Sequence, residues 1–340
     1  MFGRRKHKDD SAAIVEFWHW WAGARGRVQA AIGDGSVGSL AGEISGKVNA
    51  IHRDLHWELA PGRKAQHALV VSPGGVAALR AAAARWRAAA PAVDDVFEYF
   101  DARQADDEFF DSRIQIAGHH LELAELRFAV DAGEDAHDLD VGVFHPAFPD
   151  MPEGARVQLA FLALDWALGE QQVELWVGQV DALPVGRPDL VTFTELRAAV
   201  ADLAAKHAEP VYALLSAEDR RGRPVMAMIQ VPMRSARWPR FDQHVAVTVR
   251  YPARPNGLPT DEALTQLRDL EDRIESVLPP DGEVIAHETT NGVRTIHVYA
   301  DSTTDKASAV ASVADSFHAL KTTVTVTADP GFGAVAHLRP

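Results

Sequence analysis

Asn291-Gly292 stands between two β-rich runs, 283–289 and 293–299. It is the pair that best closes a two-residue hairpin, because both of its positions tolerate positive φ. A β run at 245–250 and an amphipathic stretch at 261–277 precede the hairpin. A second helical stretch at 306–319 and a β run at 323–327 follow it. The order is βαββαβ, so the C-terminal part is expected to form a ferredoxin-like α+β sandwich, with both helices on one face of a sheet. Strands near 211–216 and 224–232 lie ahead of this series, joined to it by a loop of Arg and Pro residues.

At 340 residues the chain has room for two domains with real cores. Ala208-Glu209-Pro210 marks the expected boundary, with one domain over 11–205, a second over 208–337 and a disordered basic tail at 1–10. Helical periodicity covers 12–32 and 37–52. Strands are expected at 56–59 and 65–72, Pro73-Gly74-Gly75 as a turn, and an alanine-rich helix at 76–89. Strands near 95–101, 113–118, 123–131 and 138–145 follow, then a helix at 154–168, a strand at 173–178 and a helix at 190–203. The βαβ order at 65–101 recurs at 138–178, which suggests a mixed α/β domain of expanded ferredoxin-like arrangement.

In the C-terminal third, a set of residues appears in a characteristic order. Tyr251-Pro252 leads to Gly257-Leu258-Pro259, then Glu271-Asp272 late in a helix, Gly292 and Arg294, Tyr299, and finally Asp329-Pro330. This set resembles DUF695, a bacterial family of unknown function sometimes joined to an RraB-like ribonuclease-regulator domain. Phe332 supplies the aromatic expected after Asp-Pro; the family's second aromatic near the end is absent. The resemblance spans about 208–337. It implies a ferredoxin-like domain with a binding or regulatory role and no catalytic residues. Read physically, Glu271 and Asp272 near a helix C-terminus oppose the macrodipole and call for a cation, which element order supplies as Arg294.

Charge divides the chain. It carries 34 basic and 48 acidic residues, a net −14, yet 94–140 alone holds fifteen Asp or Glu against three Arg. Conversely, 220–254 holds eight Arg against Asp242. Such runs are solvated faces, docking surfaces for a partner of opposite sign, or partners for each other. The main expectation is a non-enzymatic regulator whose acidic stretch, with Asp106, Asp107, Glu108 and Asp111, engages a basic protein such as a ribonuclease or a toxin. RNA contact through Arg234, Arg237 and Arg240 is an alternative, although aromatics there are too few for a stacking platform.

The absence of cysteine excludes disulfides, thiol nucleophiles and cysteine-ligated metals. His52 and His56 have the i, i+4 spacing of a zinc pair, but a strand beginning at His56 would separate them. His119 and His120 alternate across a strand. Asp165 interrupts an apolar helix, either on its exposed stripe or buried with a partner. Together these five residues are the candidates for a hydrolase reading, with or without a metal. No metal or cofactor motif is complete, so none is expected. With no secretory h-region and no apolar run of spanning length, a cytoplasmic protein is expected.

Overall fold

A computed structural model describes residues 10–133 and 137–339. The basic tail therefore lies outside the described residues, apart from Asp10, which is buried against Arg85 at 3.6 Å. Two helices, α1 (Ser11–Asp34) and α2 (Ala41–Ile51), open the described chain. They cover a three-stranded sheet of β1 (His56–Pro61), β2 (His67–Ser72) and β3 (Phe97–Phe100), with α3 (Ala77–Ala88) crossing between β2 and its parallel neighbour β3. The aromatic run of α1 is spent on this core. Phe17 and Trp21 are fully buried, Trp18 stacks on Trp86 at 4.8 Å, and the Trp21 indole N–H donates to the Tyr99 hydroxyl at 2.9 Å.

A hairpin of β4 (Arg113–Ile116) and β5 (His119–Glu122) leads to a second three-stranded sheet. That sheet pairs β6 (Arg127–Asp131) antiparallel to β7 (Leu139–Phe144), and β7 parallel to β8 (Val177–Ala182). The β7-to-β8 crossover contains α4 (Glu153–Leu168) and α5 (Glu170–Trp176), and α6 (Phe193–Lys206) closes the layer. The two βαβ units thus occupy separate sheets, each with its own hydrophobic core, rather than one expanded sheet. The expected strand at 173–178 is mostly helix. Gly169 at φ 83° breaks α4, and the chain resumes as α5 because Glu170 is fixed there by buried hydrogen bonds.

The C-terminal part is one antiparallel six-stranded sheet. In chain order it contains β9 (Val211–Glu218), β10 (Pro224–Val231), β11 (Gln243–Arg250), α7 (Asp261–Val277), β12 (Gly282–Thr290), β13 (Val293–Ala300), α8 (Lys306–Ser316) and β14 (Lys321–Ala328). The spatial order is β14-β11-β13-β12-β10-β9. Val245, Val247, Ile296 and Val298 face Leu267, Leu270, Ile274 and Val310 of the helices. The opposite face is sealed by Phe332, Val335 and Leu338 of the C-terminal segment. Asn291 and Gly292 adopt φ 48° and 77° and close the hairpin as expected. The molecule as a whole is α+β.

The two regions meet through ions. Buried Arg85 of α3 donates to Asp242 at 2.9 Å and to Asp301 at 2.6 Å, Arg80 donates to Ser235 at 2.7 Å, and Arg234 pairs with Asp138. Of the described helices, none is long and apolar enough to cross a membrane.

Candidate functional site

β1, β2 and β3 bury one face under α1 and α2. Alternation along the strands then turns Glu58, Ala60, Ala68 and Val70 to the other side. That side does not meet α4 and α6 directly. Between them lies a cleft of about 1070 Å³. Its apolar surface comes from Val70, Phe100, Leu162, Trp166 and Val200. The segment after β3 forms the remaining wall and brings in Arg103, Asp106, Asp107, Glu108 and Phe109, the last stacked on Trp166 at 4.0 Å.

Charges at the cleft occur mostly in pairs. Arg103 lies 3.2 Å from Glu58 and 3.8 Å from Asp165, and Arg197 pairs with Asp107. Asp106 caps the backbone N–H of Glu108 at 3.0 Å. Among the described residues, Asp106, Glu108 and Asp111 make no ion pair. Beneath the wall, buried Glu170 accepts from the Ser72 hydroxyl at 2.5 Å, Gly75 N–H at 2.7 Å and Arg103 N–H at 3.1 Å. One carboxylate thereby ties together the turn after β2, the 103–109 wall and the start of α5. Burial pushes the Asp165 carboxyl up to about 6, with Glu170 adding to the rise and Arg103 opposing it.

The sequence-derived candidates separate into three groups. Asp106, Asp107 and Glu108 line the cleft, with Asp111 three residues beyond. His52, His56, His119, His120 and Asp165 do not line it. His52 caps α2 while His56 opens β1 beneath Gly74, which separates the two rings as the strand reading required. Among the described residues, no group of three or more His, Asp or Glu is placed to hold a metal ion. Arg234, Arg237 and Arg240 all have intramolecular partners: Asp138, the Val231 carbonyl, and Asp281 with Asp301.

The rest of the acidic stretch is largely consumed within the fold. Asp94 pairs with Arg25, Glu122 with Arg113 and Asp131 with Arg187, while Glu98 accepts the backbone N–H groups of Arg63 and Lys64. Glu134 and Asp135 lie outside the described residues. Sequence reasoning missed Phe109, Trp166, Arg103 and Arg197 as parts of one site, because nothing local links a loop after β3 with two helices far along the chain. The glycine before Glu170 was the available signal.

The ordered motif of the C-terminal third is structural joinery. Tyr251 donates its hydroxyl to the Gly257 carbonyl at 2.9 Å, and Gly257 in turn accepts from Gly292 N–H at 2.9 Å. Thr260 N–H donates to the Pro252 carbonyl, Arg254 N–H to the Leu258 carbonyl, and Pro259 bridges to Ala253. Glu271 meets Arg294 at 3.1 Å as charge logic expected, and also His287 at 3.1 Å, whereas Asp272 is exposed on α7.

Tyr299 donates to Asp329 at 2.5 Å, and Asp329 also accepts from Gly333 and Ala334 N–H. With Pro330 turning the chain, this anchors the terminal segment on the sheet. Next to it, His244 contacts His297 at 3.0 Å, and His297 contacts Glu288 at 3.3 Å. Burial and the neighbouring His297 press His244 down to about 4.

No curated protein and no solved structure matches the chain. Residues 225–332, which contain every residue of this motif, match the family model of DUF695, described as a family of unknown function.

Proposed function

We propose that the protein is a non-catalytic, cytoplasmic binding or regulatory protein whose cleft takes a segment of a basic protein; a ribonuclease or a toxin has the right charge. The observation that carries the reading is the unpaired mouth. Asp106 and Glu108 edge a cleft whose floor is apolar; Glu58 with Arg103 and Asp107 with Arg197 are paired there, and Arg63 donates to the Ala105 carbonyl. A void of about 1070 Å³ is at the upper end of small-molecule sites, which run to roughly 1,000 Å³, and suits several side chains of a peptide segment. Lys or Arg of that segment would meet the rim carboxylates while an apolar residue lies on Phe109 and Trp166. The βαββαβ series over β11–β14 is read as ferredoxin-like, a reading supported by its β14-β11-β13-β12 order with two helices. The chain is read as two domains, 11–205 and 208–337.

The test is salt-dependent capture of basic proteins by the wild type and by a D106K/E108K/D111K variant, with a photo-crosslinking residue in place of Phe109. Loss of a crosslinked basic partner in the charge-reversed variant is expected. Capture of the same partner by both proteins sinks the reading.

A hydrolase reading has one observation in its favour, the Asp165 carboxyl near neutrality beside Arg103. It requires turnover that disappears in D165N and follows a group titrating at about 6.

A further inference from the structure

The C-terminal sheet has six strands but only two covering helices. α7 packs on β12 and α8 on β14 and β11, while β10 and β9 continue the sheet beyond α7. Two strands at ~4.8 Å spacing make a strip of roughly 10 Å, the width of a single helix. Register places Leu214 of β9 beside Met228 of β10, and Met228 beside His287 of β12. Because His287 pairs with Glu271 of α7, this row lies on the helix-bearing face. Leu214 is 69% exposed, Tyr212 52% and Met228 39%, so three large apolar side chains adjoin one another in solvent. On the opposite face of β9, Val211, Ala213 and Leu215 pack into the core. The register is therefore held from below, and the outer row is free to serve another purpose.

The border of the strip is acidic on balance, with Asp272 and Glu275 outnumbering Arg268, which is exposed one turn before Asp272 on the same helix. Asp272 and Glu275 are exposed on α7, and among the described residues neither makes an ion pair. Partial desolvation against the neighbouring sheet holds the otherwise exposed Glu275 carboxyl above its ordinary range, and Asp272, Glu271 and Glu283 add their repulsion. Tyr212 sits in the same field of Glu275 and Glu283. The counter-charge at that end is Arg237, which stacks on Trp238 and donates to the Val231 carbonyl. A second copy of the chain would bring an identical acidic border, so like charges oppose self-association.

We propose that this strip docks a basic amphipathic helix of a partner protein, with its apolar stripe on Tyr212, Leu214 and Met228 and its Lys or Arg side chains against Asp272 and Glu275. The helix lies beside α7 as a third member of the layer. The site is separate from the N-terminal cleft, and the inference does not rest on the reading of that cleft.

The test uses the full chain and a labelled synthetic peptide of about 18 residues, with Leu on one helical face and Lys on the other. Binding should weaken with added salt, protect the β9 and β10 amides from exchange, and fall about tenfold or more in both L214D and E275K. All these positions are exposed, so both variants keep the fold. A D106K/E108K variant should bind as the wild type does. The proposal is overturned by equal binding to L214D, by equal binding of a Leu/Glu peptide, or by loss in the cleft variant instead. Self-association of the wild type that disappears in L214D would also overturn it, since the occupant would then be a second copy.

Discussion

His244 shows how burial and a like neighbour set the protonation of an imidazole. It is buried between Tyr299 and His297, and a positive charge there would be both desolvated and repelled. The unfolded chain protonates His244 as pH falls through its ordinary value near 6.5, whereas the folded chain does so only at about 4. Between those values the unfolded state binds more protons, so stability is full above the window and falls as pH drops through it. Thermal unfolding of H244F should lose this share of the acid sensitivity, worth at most ~3 kcal/mol between pH 7 and 4. An unchanged pH profile would show that His244 does not supply it.

Asp165 has the opposite sign. Its folded carboxyl titrates at about 6, so the folded state holds the extra proton and stability declines as pH rises through about 4 to 6. D165N should therefore stabilise the protein at pH 8 by on the order of 1–2 kcal/mol, read as a higher melting temperature, and have little effect near pH 4. A melting temperature equal to wild type at pH 8 would mean that Arg103 fully offsets the burial.

At the level of elements, the break between α4 and α5 decides the geometry of the cleft. Gly169 combines φ 83° with ψ 149°, a region open only to glycine, and a Cβ there would lie 3.0 Å from Ala105 N and 3.1 Å from Arg103 O. The close approach brings the 103–109 wall onto α5 and lets Glu170 reach Ser72, Gly75 and Arg103. G169A should cost ~1–3 kcal/mol and make the 103–109 segment more susceptible to proteolysis. Unchanged stability and cleavage would show that the wall does not depend on this contact. The same glycine explains why the helix at 154–168 was legible while 173–178 read as a strand. Val173, Leu175, Trp176 and Val177 have strand propensity, but the buried carboxylate of Glu170 nucleates one more helical segment before β8 begins.

Across the whole molecule, the acidic stretch and the arginine-rich stretch partly answer each other. Arg234 meets Asp138, and Arg85 of α3 is surrounded by Asp242, Asp301 and Asp10 across the junction. Removing the cation alone leaves three carboxylates buried in poor solvent, so R85M should destabilise the protein by ~3–5 kcal/mol. Combining it with D242N and D301N should recover part of the loss. The check is denaturant unfolding of the single and triple variants; an R85M protein as stable as wild type would mean that water enters the junction freely.

By itself the sequence determined what local interactions determine. The Asn291-Gly292 turn and the amphipathic period of α7 place β11 to β14 and their helices within a few residues, because each signal acts over one turn of chain. The approach of Arg294 to Glu271 was also legible, since element order leaves few cations for a carboxylate at a helix end. Only the tertiary structure decided the separation of the two βαβ units into different sheets, the cleft between them, and which acidic side chains remain unpaired. Each of those depends on residues tens of positions apart meeting in space, as Glu170 meets Ser72 and Arg197 meets Asp107. Packing and long-range charge pairing leave no periodicity in a sequence from which to read them.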